Sequence, residues 1–119
     1  MRALEKNLLN ESWIAHWAKI FIFDAIIGNT DRHHDNWGLV FDVVNGDVVR
    51  VSLSPAFDNG TSLGYEIIDE NIANFTDEKI KQYIRRGTHH MKWAVDSAKS
   101  QHFDLILKYD DFVKSSKNL

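Results

Sequence analysis

Cysteine is absent from the 119 residues, which excludes disulfides and thiolate metal sites and fits a reducing cytoplasm. Proline occurs once, at Pro55, so little of the chain is barred from helix or strand on that account. The six glycines lie at 28, 38, 46, 60, 64 and 87 and nowhere form G-x-G-x-x-G, the spacing of a loop that closes over nucleotide phosphates. No excess of positive charge exists: the formal net charge of -3 argues against a wide nucleic-acid surface and so against direct nucleic-acid binding. There is no long apolar run. The most apolar stretch, Trp13 to Ile27, is interrupted by His16, Lys19 and Asp24, and is too short and too charged to span a bilayer. No secretory signal pattern, internal repeat or low-complexity tract is visible. What remains is one domain of ordinary apolar content, expected in the cytoplasm, with Trp13, Trp17, Trp37 and Trp93 as large core candidates.

Residues 1 to 11 are polar and mixed, consistent with a short lead-in helix. Ser12 can cap a helix running to Ile27, with Gly28 as its stop. Trp13, Trp17, Ile20 and Phe21 share a helical stripe, and Ile20 to Ile27 is apolar nearly all round, which predicts a buried central helix. Trp37 to Val43 reads as a strand, Asn45-Gly46 as a tight turn needing positive φ at both residues, and Val48 to Leu53 as the return strand. Thr76 caps a helix from Asp77 to Arg86, whose acidic first turn and basic last turn suit the helix dipole, with Gly87 beyond it. Thr88 is placed to cap a further helix through Met91 to Lys99. A last helix covers His102 to Val113 with Phe103, Ile106, Leu107 and Phe112 turned inward, and residues 114–119 fray.

The densest chemistry lies at residues 28–36, GNTDRHHDN, and at Pro55-Ala-Phe-Asp58-Asn-Gly60 beyond the hairpin. An Asp followed five residues later by an Asn, with a second Asp past a short strand pair, is the arrangement of a phosphoryl-transfer loop and its metal-binding Asp. Asp31 is the candidate catalytic acceptor, though most loop aspartates only cap turns. Asn36 and Asp58 are the candidate Mg²⁺ and nucleotide ligands, against the alternatives of a turn hydrogen bond and an Asx-turn. In Asp58-Asn59-Gly60 the glycine lets the backbone turn sharply. His33 is expected to pack inward and hydrogen-bond the loop backbone, holding Asp31 in place. Arg32 can balance the carboxylates, touch phosphate, or be a solvated loop charge. Arg85 and Arg86 read as surface residues. A different chemistry, a His/Asp metal-dependent phosphohydrolase, would need His33, His34, Asp35, His89 and His90 to converge; the pair His89-His90 reads better as a helix start.

GNTDRHHDN, the strand pair and LSPAFDNGTSLG together resemble the C-terminal domain of HipA-type kinases, bacterial serine/threonine kinases best known from toxin–antitoxin modules. The likeness is densest from Phe21 to Leu63. It implies an α+β, mostly helical domain over 1–119: a protein-kinase-like large lobe with one β-hairpin, using ATP and Mg²⁺ and acting on a protein hydroxyl. It also implies Asp31 as catalytic base, His33 as the loop histidine beside it, and Asn36 and Asp58 as Mg²⁺ ligands. The string DRHxDN is similar as well to the catalytic loop of phosphoinositide 3- and 4-kinases, which makes a lipid the second choice of acceptor. A kinase of this kind also needs a small lobe, with a Gly-rich loop and a strand lysine. Thirty residues precede Asp31, and Lys6 and Lys19 are the only lysines among them; neither lies on an expected strand. The implied partner is a separate small-lobe polypeptide or an antitoxin-like protein; the alternative is a non-catalytic regulatory or remnant lobe.

By itself, then, the chain is expected to bind ATP weakly and transfer phosphate barely, and a small-lobe partner added in trans should restore both. A radiolabelled-ATP assay on the purified chain checks this. Robust phosphorylation by the chain alone, lost in Asp31→Ala, would sink the expectation.

Overall fold

The computed structural model describes residues 12–65, 67 and 69–117, so the expected lead-in helix at 1–11 lies outside the described residues. Among these residues the fold is α+β, with four α-helices and one antiparallel hairpin. Helix α1 spans Trp13–Ile27. Its start and stop are local chemistry: the Ser12 hydroxyl accepts the Ala15 N–H at 3.3 Å, and Gly28 takes the left-handed conformation, φ 67°, that ends the helix without a Cβ clash.

Strands β1, Leu39–Val44, and β2, Asp47–Leu53, pair from Leu39↔Leu53 outward. Asn45 (φ 52°) and Gly46 (φ 83°) form the turn, whose twist matches that of the strands it joins. The register slips between Asp42 and Val43, where Asp42 faces Arg50 and Val43 faces Val48, so Val49 is the extra residue of a bulge. Trp37 falls short of the sheet, because a three-residue 3₁₀ turn at His34–Asn36 ends on it. Gly38 and Ser54 close the base of the hairpin through two hydrogen bonds. Only Val51 and Leu53 of the hairpin are buried.

Helix α2 is a single turn, Asp69–Ile72, and α3 spans Asp77–Arg86, with the Thr76 hydroxyl accepting the Lys79 N–H. Gly87 follows with φ −54°. Its lack of a side chain serves close approach instead: a Cβ there would lie 3.0 Å from His102 Cδ2. The helix expected from Met91 to Lys99 does not form. Thr88 bridges Gln101, and the His89 N–H donates to the Ser100 carbonyl at 2.8 Å. These bonds fold 89–100 into a tied loop and leave Thr88 no helix to cap.

Helix α4 runs His102–Ser116, three residues past the expected end. A Lys114–Asp110 ion pair and the hydroxyls of Ser115 and Ser116 on preceding carbonyls hold its last turn. Its inward face differs in part: Ile106 packs against the core as expected, and His102, Leu105 and Tyr109 are buried, while Phe103, Leu107 (63 % exposed) and Phe112 are not. The register is set by α1, against which α4 packs. Phe21, Leu105 and Tyr109 form the core, with Phe21 edge-on to Tyr109 at 5.1 Å and the Tyr109 hydroxyl donating to the Ile14 carbonyl at 2.8 Å.

This core is thin. Trp13, Trp37 and Trp93 are largely exposed, contrary to the expectation of core tryptophans, and Trp17 is half-buried between Trp37 and Phe21. Nor is the end of α1 buried all round: Ile22, Phe23 and Ile26 (75 % exposed) face outward, because α4 covers one side only. The radius of gyration is 17.7 Å, against about 13.5 Å for a compact domain of this length. Among the described residues, no helix is long and apolar enough to cross a membrane.

Candidate active site

One charged residue in the apolar second half of α1, Asp24, is fully buried. A carboxylate there is tolerable only if it is paired and hydrogen-bonded. Four bonds reach it. Arg32 donates from Nε to Oδ2 at 3.1 Å and from Nη2 to Oδ1 at 2.7 Å; Asn29 Nδ2 donates to Oδ1 at 3.1 Å; His89 Nε2 meets Oδ2 at 2.8 Å. The Met91 N–H donates to His89 Nδ1, so the ring proton sits on Nε2 and the imidazole donates to Asp24. Burial alone would raise the Asp24 pKa, but the His89 and Arg32 hydrogen bonds and the Arg32 charge outweigh it and hold the carboxyl below its ordinary range.

Arg32 is therefore neither a solvated loop charge nor a free phosphate contact. It is fully buried and balances Asp24. Its remaining donors reach across the fold: Nη1 to the carbonyls of Asn36 (3.0 Å) and Phe57 (2.6 Å), and Nη2 to Asn59 Oδ1 (2.6 Å). Each of the five guanidinium N–H groups thus has an acceptor. Asn29 extends the network, its Oδ1 accepting from the Asp31 N–H and the Thr61 hydroxyl, both at 3.0 Å.

This clamp fixes the loop that carries the expected site. Asp31 is half-exposed, its side chain 42 % accessible. Its carboxylate lies between two imidazoles, 3.6 Å from His33 Nε2 and 3.9 Å from His90 Nδ1. His33 Nδ1 accepts the Asp35 N–H at 3.2 Å, and its Nε2 stands between the Asp31 carboxylate and Asn36 Nδ2. The histidine thus bonds the loop backbone as expected. His90 is held below its ordinary pKa by partial burial and then by the Lys99 charge.

Asn36 is buried. Its Nδ2 donates to the Asp31 carbonyl at 2.7 Å and lies 3.3 Å from His33 Nε2. That orientation turns Oδ1 the other way, with no hydrogen bond from any described residue. Asp58 sits between Phe57 and Asn59, both of which bind Arg32. Its side chain is exposed and forms no ion pair or hydrogen bond with a described residue. The sharp turn is made by Asp58 itself, φ 51°, and not by Gly60; Asp tolerates the left-handed region better than most residues. Asp31, His33 and Asn36 are thus brought together directly, and the segment bearing Asp58 is tied to their loop through Arg32.

The five-residue metal set divides. His33, His34 and Asp35 offer ligand atoms within 4.8 Å of one another, and the His90 ring stands 5.7 Å from that of His33. His89 is elsewhere, with both nitrogens used by Asp24 and Met91.

Beyond His89 lies His102, 3 % exposed, its ring 5.6 Å from that of His89 and both of its nitrogens without a hydrogen-bond partner. Burial, and then the neighbouring His89, push its pKa down to about 4. Sequence reasoning missed Asp24, Asn29, His89 and His102 as parts of this centre. The available signal was Asp24, an acid inside an apolar helix stretch, which requires a buried partner.

Comparison with known proteins returned no match: no family model, curated protein or solved structure is significantly similar to the chain.

Removing one partner of a buried ion pair leaves an uncompensated charge, so Arg32→Met should cost about 3–5 kcal/mol in urea denaturation. Arg32→Lys should not rescue it, since an ammonium lacks the five-donor fork. A loss below about 1 kcal/mol would show that the clamp does not hold the fold. His102 gives a separate pH signature. Its folded pKa of about 4 lies below the ordinary 6.5, so the unfolded chain binds the extra proton. Its contribution is whole above 6.5 and drains away as pH falls toward 4, by up to about 3 kcal/mol. His102→Leu should flatten the stability profile in that window, and an unchanged slope would remove His102 as its source.

Proposed function

We propose that the chain is a kinase-like phosphoryl-transfer domain that moves the γ-phosphoryl group of Mg-ATP to a hydroxyl, in the manner of a HipA-type serine/threonine protein kinase. The observation that carries this reading is the Arg32 clamp. One buried guanidinium binds the Asn36 carbonyl, the Phe57 carbonyl and the Asn59 side chain, and so fixes the loop of Asp31 and Asn36 against the segment of Asp58. Preorganisation of this kind is what phosphoryl transfer asks of a protein, because its catalysis rests on positioning and charge.

Asp31 takes the proton of the acceptor hydroxyl as its oxygen bonds to phosphorus and the bridge to ADP breaks. His33, its ring nitrogen 3.6 Å from the carboxylate, positions Asp31. Asn36 Oδ1 and the Asp58 carboxylate are the open oxygen donors, and oxygen is what Mg²⁺ takes. When bound there, the ion would neutralise charge on the phosphate oxygens.

A second reading, a non-catalytic lobe that binds a small-lobe or antitoxin-like partner, draws on the exposed Val40, Phe41, Val43 and Val49 of the hairpin. The two readings differ over Asp31. Under phosphoryl transfer, Asp58→Ala should abolish Mg²⁺-dependent ATP binding in isothermal titration while leaving stability within about 0.5 kcal/mol. Asp31→Ala should keep binding and lower transfer about 10²–10⁴-fold. Equal ATP binding by the parent and Asp58→Ala would count against Asp58 as a ligand.

A further inference from the structure

Thr30, the residue before Asp31, lines a cleft of about 710 Å³ between the end of α1 and α3. Asp24, Arg32, Asp31, His33, Asn36 and Asp58 do not line this space. Ile26 and Ile84 give it exposed apolar walls. Lys79 and Arg86 supply positive charge, and no carboxylate of a described residue is in the lining. Neither cation has an ion-pair partner among the described residues. His102 lies at the floor, buried, with both ring nitrogens unpartnered.

The spacing of the two cations restricts the ligand. Lys79 and Arg86 are seven residues apart on α3, two turns along one face, or about 10 Å at 1.5 Å per residue. A single phosphate or a compact anionic head group concentrates its charge within a few ångströms, whereas cations rooted about 10 Å apart are better matched by a ligand whose charges are spread likewise. A peptide in the extended polyproline II conformation rises about 3.1 Å per residue with three residues per turn, so carboxylates three residues apart lie on one side of it and match the interval. An apolar side chain between them meets the isoleucines, and an amide brings both a donor and an acceptor to the floor.

We propose that this cleft binds the phosphate-accepting segment of a protein: an extended acidic stretch with two carboxylates three residues apart, an apolar residue between them, and its hydroxyl toward Thr30 and Asp31. The proposal rests on the phosphoryl-transfer reading for the word accepting, and on the cleft alone for the binding.

The test is fluorescence anisotropy of the purified chain, without ATP or Mg²⁺, using a labelled peptide with the core Asp-Leu-Ser-Glu. The controls are its Lys-Leu-Ser-Lys counterpart and a peptide with the two acids adjacent. The acidic peptide should bind at least about tenfold more tightly than either control, and Lys79→Glu combined with Arg86→Glu should invert the preference for charge. Binding of the basic peptide by the double variant shows at once that it is folded. Equal affinity for the acidic and basic peptides, or a preference unmoved by the charge swap, overturns the proposal. So does displacement of the acidic peptide by phosphatidylinositol 4-phosphate vesicles that bind more tightly, which assigns the cleft to lipid. Transfer of labelled phosphate from Mg-ATP to the peptide serine is scored separately. Binding without transfer is what the chain alone is expected to give and supports the acidic-peptide site by itself, and transfer without charge preference supports the kinase reading and counts against the site alone.

Discussion

A guanidinium shut away from water must find an acceptor for every N–H or it will not stay buried. In this chain the acceptors of Arg32 come from four places: the end of α1, the turn before β1, and two positions after β2. No other side chain described here joins so many separate stretches. A buried ion pair of this kind contributes less to net stability than an apolar replacement of the same shape can. What it adds is direction. An apolar side chain tolerates many arrangements of its neighbours, whereas five donors in a rigid plane accept very few. The loop conformation around Asp31 follows from that requirement, and so does the left-handed backbone at Asp58.

The apolar core and this polar centre divide the fold between them. Phe21, Leu105 and Tyr109 join α1 to α4. Three residues further along α1, Asp24 gathers Asn29, Arg32 and His89. Phe21 touches both, since its ring is edge-on to Tyr109 and also to His89. The hairpin and α3 lie outside these two centres and keep much of their apolar surface in the open.

Elements governed by near neighbours in the chain were legible from the sequence. Ser12 and Gly28 bound α1, Thr76 opens α3 at Asp77, and Asn45-Gly46 turns the hairpin, because each rests on a rule acting within four residues. Elements governed by distant contacts were not. The loop 89–100 carries a helix-like pattern, yet a bridge from Thr88 to Gln101 and a bond from His89 to Asp24, 65 residues away, decide its path. The inward face of α4 depends on where α1 meets it, and the apolar pattern Phe103, Leu107, Phe112 gives no warning of that. At the candidate site, Asp31, Asn36 and Asp58 stood out by their spacing as candidates, and of these Asp31 and Asp58 reach the surface while Asn36 is buried. The residues that hold them did not stand out, since an arginine beside an aspartate looks the same in sequence whether it is bathed in water or sealed in the interior.

The tie at Thr88 and Gln101 has a consequence for how this chain can vary. Bonds at both ends close the loop, and its closure entropy changes only slowly with length, by about 0.6 kcal/mol per doubling. Most residues between 92 and 99 are exposed. Residues could be inserted or removed there with little disturbance to the fold, provided His89 still reaches Asp24 and the strand-like ends still meet. The stretch from Asp24 to Asn36 has no such latitude, because five fixed donor directions span it. Length differences among descendants of this sequence should therefore collect in the tied loop and avoid the clamped one, a division of evolutionary freedom drawn by two sets of hydrogen bonds.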